Sequence, residues 1–150
     1  MRLRNATERD LEATEELLSE SDLPLEGVAD NFADFLVAED RGRIIGAIGL
    51  ERFGSIGLLR SAVVAPEHRA AGVGHQLVER MIERAVEDGI GELYLLTTTA
   101  EKYFPRFGFV PTTRAAVPDA VKESAEFQGA CPDTAVVMTR RIAGPVTTRR

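Results

Sequence analysis

A chain of 150 residues with 44% hydrophobic side chains is long enough to bury one core and too apolar to be disordered. Its net charge of −6 argues against nucleic acid as a partner, since that needs a basic face to displace counterions. No apolar run approaches the roughly 18 residues of a membrane span, so no membrane partner is expected either. The opening MRLRNATERD carries no apolar signal-peptide core, which points to the cytoplasm. A single cysteine, Cys131, rules out an internal disulfide and a cysteine-based zinc cage. Only His68 and His75 remain as imidazole ligands, too few for a multi-histidine metal site, so no metal is expected.

In chain order, Arg2 to Asn5 reads as a short strand, and Thr7 with Asp10 three residues on as a capping pair. A helix follows with Leu11, Leu17 and Leu18 on its inner side, ending before Pro24. A second helical stretch covers Val28 to Phe32, then a strand from Phe35 to Glu39. Asp40-Arg41-Gly42 makes a hairpin turn into Arg43–Phe53, and Gly54-Ser55 turns again into Ile56–Val64. Beyond Pro66, the residues Leu77, Val78, Met81, Ile82, Ala85 and Val86 repeat with helical period. Gly89 stands where a left-handed C-cap would end that helix. Glu92–Thr97 reads as a strand, Ala100–Phe107 as a short helix, and Phe109-Val110 as the start of another strand. Val117–Phe127 reads as a short helix opened by Pro118, and Thr134–Arg140 as the last strand, with Val136 and Met138 opposite Val137. The tail GPVTTRR reads as frayed. With no repeat and no linker, the chain is one domain.

The segment between strand and helix carries the chemistry. Unpaired N–H groups at a helix N-terminus, together with the helix dipole, favour an anion. In Arg69-x-x-Gly72-x-Gly74 the glycines would let a phosphate approach, and Arg69 adds a permanent charge with fork geometry. This describes a diphosphate cradle; a glycine-rich turn that merely opens a helix is the alternative. A Rossmann fingerprint would need an acidic residue about 20 residues on, and ELYLLTTT offers none at its end. A Walker loop would need Gly-Lys, and this chain has Gly74-His75.

The stretches VVAPEHRAAGVGHQLVERMIERA (63–85) and LYLLTTTAEKYFPRFGFVP (93–111) together resemble the acetyl-CoA signature of the GNAT superfamily of N-acetyltransferases. The resemblance implies a single α/β (α+β) domain over 1–142, with a mixed central sheet of about six to seven strands and helices on both faces. Residues 143–150 would be a disordered tail. It implies that Val63 and Val64 offer backbone groups to the pantetheine arm, and that Arg69, Ala71, Gly72, Val73, Gly74 and His75 surround the pyrophosphate. It also implies that the thioester lies between two splayed strands, here Leu58–Val64 and Glu92–Thr97, with a backbone N–H near Val64 as a small oxyanion hole. The hydroxyl of Thr97 could reach the pantetheine amide.

Such enzymes let the acceptor amine attack the thioester directly, so proximity supplies much of the rate. One proton leaves the ammonium and one goes to the thiolate. The family often places a tyrosine acid where this chain has Phe104; Tyr103 lies one residue early, about 100° around a helix. Tyr103 is therefore a candidate acid or a stacking aromatic. Glu51, on a central strand, is a candidate base or an ordinary exposed glutamate. His68 and His75 flank the cradle as phosphate contacts or solvated side chains.

Arg60 interrupts the apolar run Ile56-Gly57-Leu58-Leu59 and needs an anion if buried. A substrate carboxylate would answer, and so would a neighbouring Asp or Glu. Strand alternation would turn Ser61 to the opposite face. The run GFVPTTRAAVPDAVKESAEFQGACPDTAVVM (108–138), with LLRSAVVAPEHR, resembles small arsenic-resistance N-acetyltransferases and the acetyltransferase domain of N-acetylglutamate synthase. That narrower resemblance implies a small-molecule amine as acceptor, glutamate or a toxic analogue such as arsinothricin or phosphinothricin. Arg60 and Arg114 would meet its carboxylate. Protein or peptide acetylation and non-catalytic acetyl-CoA binding are the other readings, and a homodimer through the last strand is a family-level expectation.

Overall fold

The computed structural model describes residues 1–142; the frayed tail expected from the sequence lies outside them. The elements are β1 (Arg2–Asn5), α1 (Leu11–Glu20), β2 (Phe35–Asp40), β3 (Arg43–Phe53), β4 (Ile56–Val64), α2 (Val73–Glu87), β5 (Glu92–Thr97), β6 (Val110–Thr112), α3 (Asp119–Lys122) and β7 (Val136–Arg141). The strands form one mixed sheet in the order β1-β2-β3-β4-β5-β7-β6, with β4 and β5 parallel. No helix among the described residues is long and apolar enough to cross a membrane.

Two compact units share the β3–β4 hairpin and α2: one holds Met1–Glu51 with Arg60–Met81, the other Arg52–Leu59 with the chain from Ile82 onward. In the first, β1 pairs antiparallel with β2, and β2 with β3, whose interior is buried over Ile45–Glu51. Gly46 and Gly49, on opposite faces of β3, are closely approached there. A Cβ at Gly49 would lie 2.3 Å from the Phe35 ring, and one at Gly46 would lie 3.0 Å from Leu77 of α2. Those two glycines let an aromatic ring and a helix approach the strand closely. The start of α1 is set by Asp10, whose carboxylate accepts the Thr7 N–H at 2.8 Å and both terminal nitrogens of Arg4 at 2.7 and 3.0 Å. Those hydrogen bonds, Arg4 first, hold the Asp10 carboxyl down at about 2.

In the second unit, β5 pairs along its whole length with β7, Glu92 opposite Arg141 through Thr97 opposite Val136. Leu58, Tyr94, Val117, Val121 and Val137 pack as its core. The end of α2 is closed by Gly89 at φ +84, with Ile90 N–H reaching Ala85 O at 2.9 Å.

Several expected boundaries move. The stripe on α2 is buried from Leu77 to Ala85, but Val86 in the last turn is 39% exposed, because the helix end turns its flank outward. Ala100–Phe107 condenses to a 3-10 turn at Phe104–Phe107, opened by Pro105 and stopped by Gly108 at φ +88. The stretch from Val117 divides into α3 and a π-type turn, Glu126–Ala130, distorted at Gly129 (φ +121). The second helical stretch is a 3-10 run over Ala29–Asp34, and the last strand starts at Val136.

Candidate active site

β4 hands the chain to α2 through a tight connection. Ala65 N–H bonds to Ile45 O at 2.7 Å, and Pro66 opens a 3-10 run ending at Ala71. Gly72 then takes φ +77, ψ +13, and α2 begins at Val73. The first bond of its ladder is Gln76 N–H to Gly72 O, 3.1 Å, so the N–H groups opening the helix lie ahead of the ladder, where an anion is favoured. A Cβ at Gly72 would meet nothing within 4 Å. Gly72 thus takes a left-handed φ that glycine adopts freely, and no protein atom crowds the side-chain direction there. Ala71 and His75 are exposed, Gly74 half-buried, and Val73 is anchored in the core.

Arg69 is exposed and folds back on its own unit. Its Nε donates to Val64 O at 3.1 Å, and a terminal nitrogen donates to Ser21 Oγ at 3.3 Å, where α1 ends. A surface guanidinium held by two neutral acceptors keeps its charge available to an anion. His75 lies 3.4 Å from Glu79 one helical turn on, and His68 lies 3.7 Å from Asp40.

The interior of the same unit holds Glu51 and Arg60. Arg60 Nη1 donates to Glu51 Oε2 at 2.6 Å, with side-chain exposures of 0% and 8%. Of the two anions that could answer a buried arginine, the fold supplies the neighbouring carboxylate. Glu51 is not an exposed strand glutamate; its carboxylate is committed to this pair. Breaking such a pair by removing one partner typically costs about 3–5 kcal/mol.

Ser61 departs from expectation. It does not face away from Arg60: Arg60 Nε donates to Ser61 Oγ at 2.9 Å. The reason is local backbone, since Ser61 adopts φ +60 inside β4, a left-handed value that breaks the alternation of faces. A third guanidinium contact, at 3.5 Å, reaches Pro24 O. The β4–β5 ladder runs from Ile56 opposite Glu92 to Leu58 opposite Tyr94, while β4 itself runs on to Val64. Val63 is buried and Val64 half-buried.

The second unit holds Thr97, Tyr103 and Arg114. Thr97 Oγ1 accepts the Ala100 N–H at 2.9 Å, capping the turn after β5. Tyr103 packs edge-on against Phe104 and Phe107, both at 5.4 Å between centroids, and Arg106 stacks 4.4 Å over its ring. Arg114 is exposed, donates to the carbonyls of Pro132 (3.2 Å) and Asp133 (3.5 Å), and lies 5.6 Å over the Phe127 ring.

Sequence reasoning missed Ser61 and Ser21 as partners of the two arginines. A signal existed for the Glu51–Arg60 contact. A two-residue turn at Gly54-Ser55 puts Leu58 opposite Glu51, and Arg60 shares the face of Leu58. Nothing in the residue types announces a left-handed serine.

The mixed sheet carries β4 through Arg-x-x-Gly-x-Gly onto the positive end of α2, an arrangement suited to an anionic ligand. The profile described as Acetyltransferase (GNAT) domain matches residues 31–111, and the chain belongs to that family, whose acetyl donor is acetyl-CoA. An uncharacterized N-acetyltransferase of Chlorobaculum tepidum is 28% identical over 98 residues, 65% of this chain and 63% of that protein. An amino-acid acetyltransferase of Pseudomonas fluorescens is 35% identical over 88 residues, 57% of this chain and 20% of that protein. The match therefore spans less than two thirds of either relative. Among solved structures, Rv2747 from Mycobacterium tuberculosis in complex with CoA superposes with a TM-score of 0.80 at 22% identity, covering 94% of this chain and 99% of that one. The N-acetylglutamate synthase of Neisseria gonorrhoeae, complexed with coenzyme A and N-acetyl-glutamate, gives 0.80 at 22% identity over 93% and 34%. At these identities the two structures establish the fold.

Proposed function

We propose that this chain, as a domain over 1–142, transfers the acetyl group of acetyl-CoA to the primary amine of a small amino-acid-like acceptor. The carrying observation is the loop from Val64 to Gln76, in which Gly72 at φ +77 starts α2 behind a solvent-facing Arg69. In this reading Arg69, Ala71, Gly72, Val73, Gly74 and His75 surround the diphosphate. The backbone of Val63 and Val64 holds the pantetheine arm. The amine attacks the thioester carbonyl directly, the C–S bond breaks, and the thiolate leaves with a proton.

Glutamate and its toxic analogues arsinothricin and phosphinothricin are the acceptors we favour. Support comes from the amino-acid acetyltransferase that this chain resembles. Arg114 is the cation proposed for the acceptor carboxylate, because its partners are carbonyls and a ring, whereas Arg60 already faces Glu51.

The test is thiol release from acetyl-CoA against glutamate, the two analogues, polyamines and a peptide pool. Turnover on the glutamate-like amines, weakened in Arg114→Ala through KM for the acceptor, supports the reading. Turnover on peptides alone would replace it with peptide acetylation. Acetyl-CoA binding with no turnover on any amine would leave a binding module.

A further inference from the structure

We propose that Glu51, Arg60 and Ser61 form a positioning unit for acetyl transfer, holding β4 in the turn that presents the main chain of Val63 and Val64. The inference rests on the reading above, in which those two residues meet the pantetheine arm. None of the three side chains need touch acetyl-CoA; they act through the backbone.

A buried residue with φ +60 in a strand is held by its surroundings. Serine has no intrinsic preference for that conformation, which only glycine visits freely. The surroundings here are specific. The Arg60 side chain is wholly buried, so its guanidinium cannot turn to water, and its donors have fixed directions. One donor is fixed by Glu51 at 2.6 Å on β3, and the adjacent Nε then points at Ser61 Oγ, 2.9 Å away. Regular strand geometry would carry that hydroxyl to the opposite face, so the hydrogen bond exists only while the backbone at Ser61 is turned. The ion pair between β3 and β4 is thereby read out as a backbone angle on β4.

Placement gives the angle its consequence. Ladder pairs with β5 stop at Leu58, and the left-handed residue comes three positions later, immediately before Ala62, Val63 and Val64. Beyond it burial resumes as exposed, buried, half-buried over those three residues. Rotating one residue out of the left-handed region re-aims every N–H and C=O downstream. Val63 O is already tightly placed, since a Cβ on Gly46 would come within 3.1 Å of it, and Ala65 is clamped to Ile45. The segment is therefore pinned at its far end and turned at its near end. A group that must meet a thioester carbonyl in one orientation needs that kind of constraint.

The experiment separates positioning from plain stability. In the double variant Glu51→Leu with Arg60→Met, apolar side chains of similar volume replace the pair, a swap that often leaves stability unchanged. A second variant, Ser61→Gly, removes the acceptor and lets the backbone take either sign of φ without altering the ion pair. Each is measured for kcat and KM with the best amine, for its unfolding midpoint, and by NMR for the Val63 and Val64 amide shifts between acetyl-CoA-bound and CoA-bound protein.

We expect both variants to fold, with KM for acetyl-CoA nearly unchanged. The double variant should lose about 10- to 100-fold in kcat, the range that misplacement by about 1 Å produces. Ser61→Gly should lose less, and the acetyl-dependent amide shifts should collapse in both. Wild-type kcat and wild-type amide shifts in Ser61→Gly would overturn the proposal, as would recovery of kcat in step with stability in the double variant. If the double variant does not fold, Ser61→Gly decides alone. If the wild type binds acetyl-CoA but acetylates no amine, the proposed function fails while the amide shifts still decide this inference. Absence of any acetyl-dependent shift in the wild type overturns it outright.

Discussion

Arg60 and Arg69 lie on the same run of chain and within the same compact unit, yet they live under opposite physics. Arg60 is sealed from solvent against a carboxylate, and its geometry is dictated on every side. Arg69 is exposed and rests on two neutral oxygens, Val64 O and Ser21 Oγ, at 3.1 and 3.3 Å. A buried charge must be answered before the chain can fold, so its partner is part of the fold. An exposed guanidinium bound to neutral acceptors can exchange them for an anion at little loss, so it is suited to a ligand. Sequence alone gives both residues as anion-binding arginines; burial separates a structural anion from one supplied by a ligand.

The largest effect should come from breaking the sealed pair on one side. Arg60→Ala leaves the Glu51 carboxylate buried without its guanidinium, and we expect a loss of about 3–5 kcal/mol in unfolding free energy by urea titration. A loss below about 1 kcal/mol would mean that water reaches Glu51, and the contrast with Arg69 would weaken.

At Arg69 the effects should be reversed in kind. Arg69→Ala should change unfolding free energy by no more than about 0.5 kcal/mol, as surface substitutions do. Its acetyl-CoA affinity should fall about 10-fold or more, since hydrogen bonds to charged groups contribute about 1.5–3 kcal/mol. Calorimetric titration with acetyl-CoA checks the second figure. A stability loss comparable to that of Arg60→Ala would show that the contacts to Val64 and Ser21 hold the unit together.

The same distinction explains what could be read from the residues. Strand limits at Arg43–Phe53, Ile56–Val64 and Glu92–Thr97, and the C-cap at Gly89, follow from period and turn chemistry that lie within a few neighbouring positions. The loop at Arg69–Gly74 was legible for the same reason, because a helix N-terminus with glycines is a local device. The short connections after β5 were less so, since Pro105, Gly108 and Gly129 punctuate them more often than helical period can register. The partner of Arg60 required hairpin register as well as composition. The turn at Ser61 required the whole packed environment, because serine adopts a left-handed angle only where its surroundings impose it.

Arg4 offers the intermediate case, and with it the smallest effect. Its side chain is 23% exposed, and it divides its donors between Asp10 and Glu39, the latter at 2.8 Å. The Asp10 carboxyl is held at about 2 by those hydrogen bonds, below its usual 3.8. A carboxylate whose folded value is depressed contributes stability that is complete above its unfolded value and disappears as pH falls through the folded one. Asp10 should therefore stabilise the chain fully above about pH 5 and lose that contribution between about pH 4 and pH 2. The other carboxylates titrate over the same interval, so the useful quantity is the difference between wild type and Asp10→Asn. We expect that difference to shrink by about 1–2 kcal/mol as pH is lowered from 5 to 2.5 in urea titrations at constant ionic strength. A constant difference would mean that the asparagine loses only the cap on α1, and that the Arg4 pair behaves as an ordinary surface contact, closer to Arg69 than to Arg60.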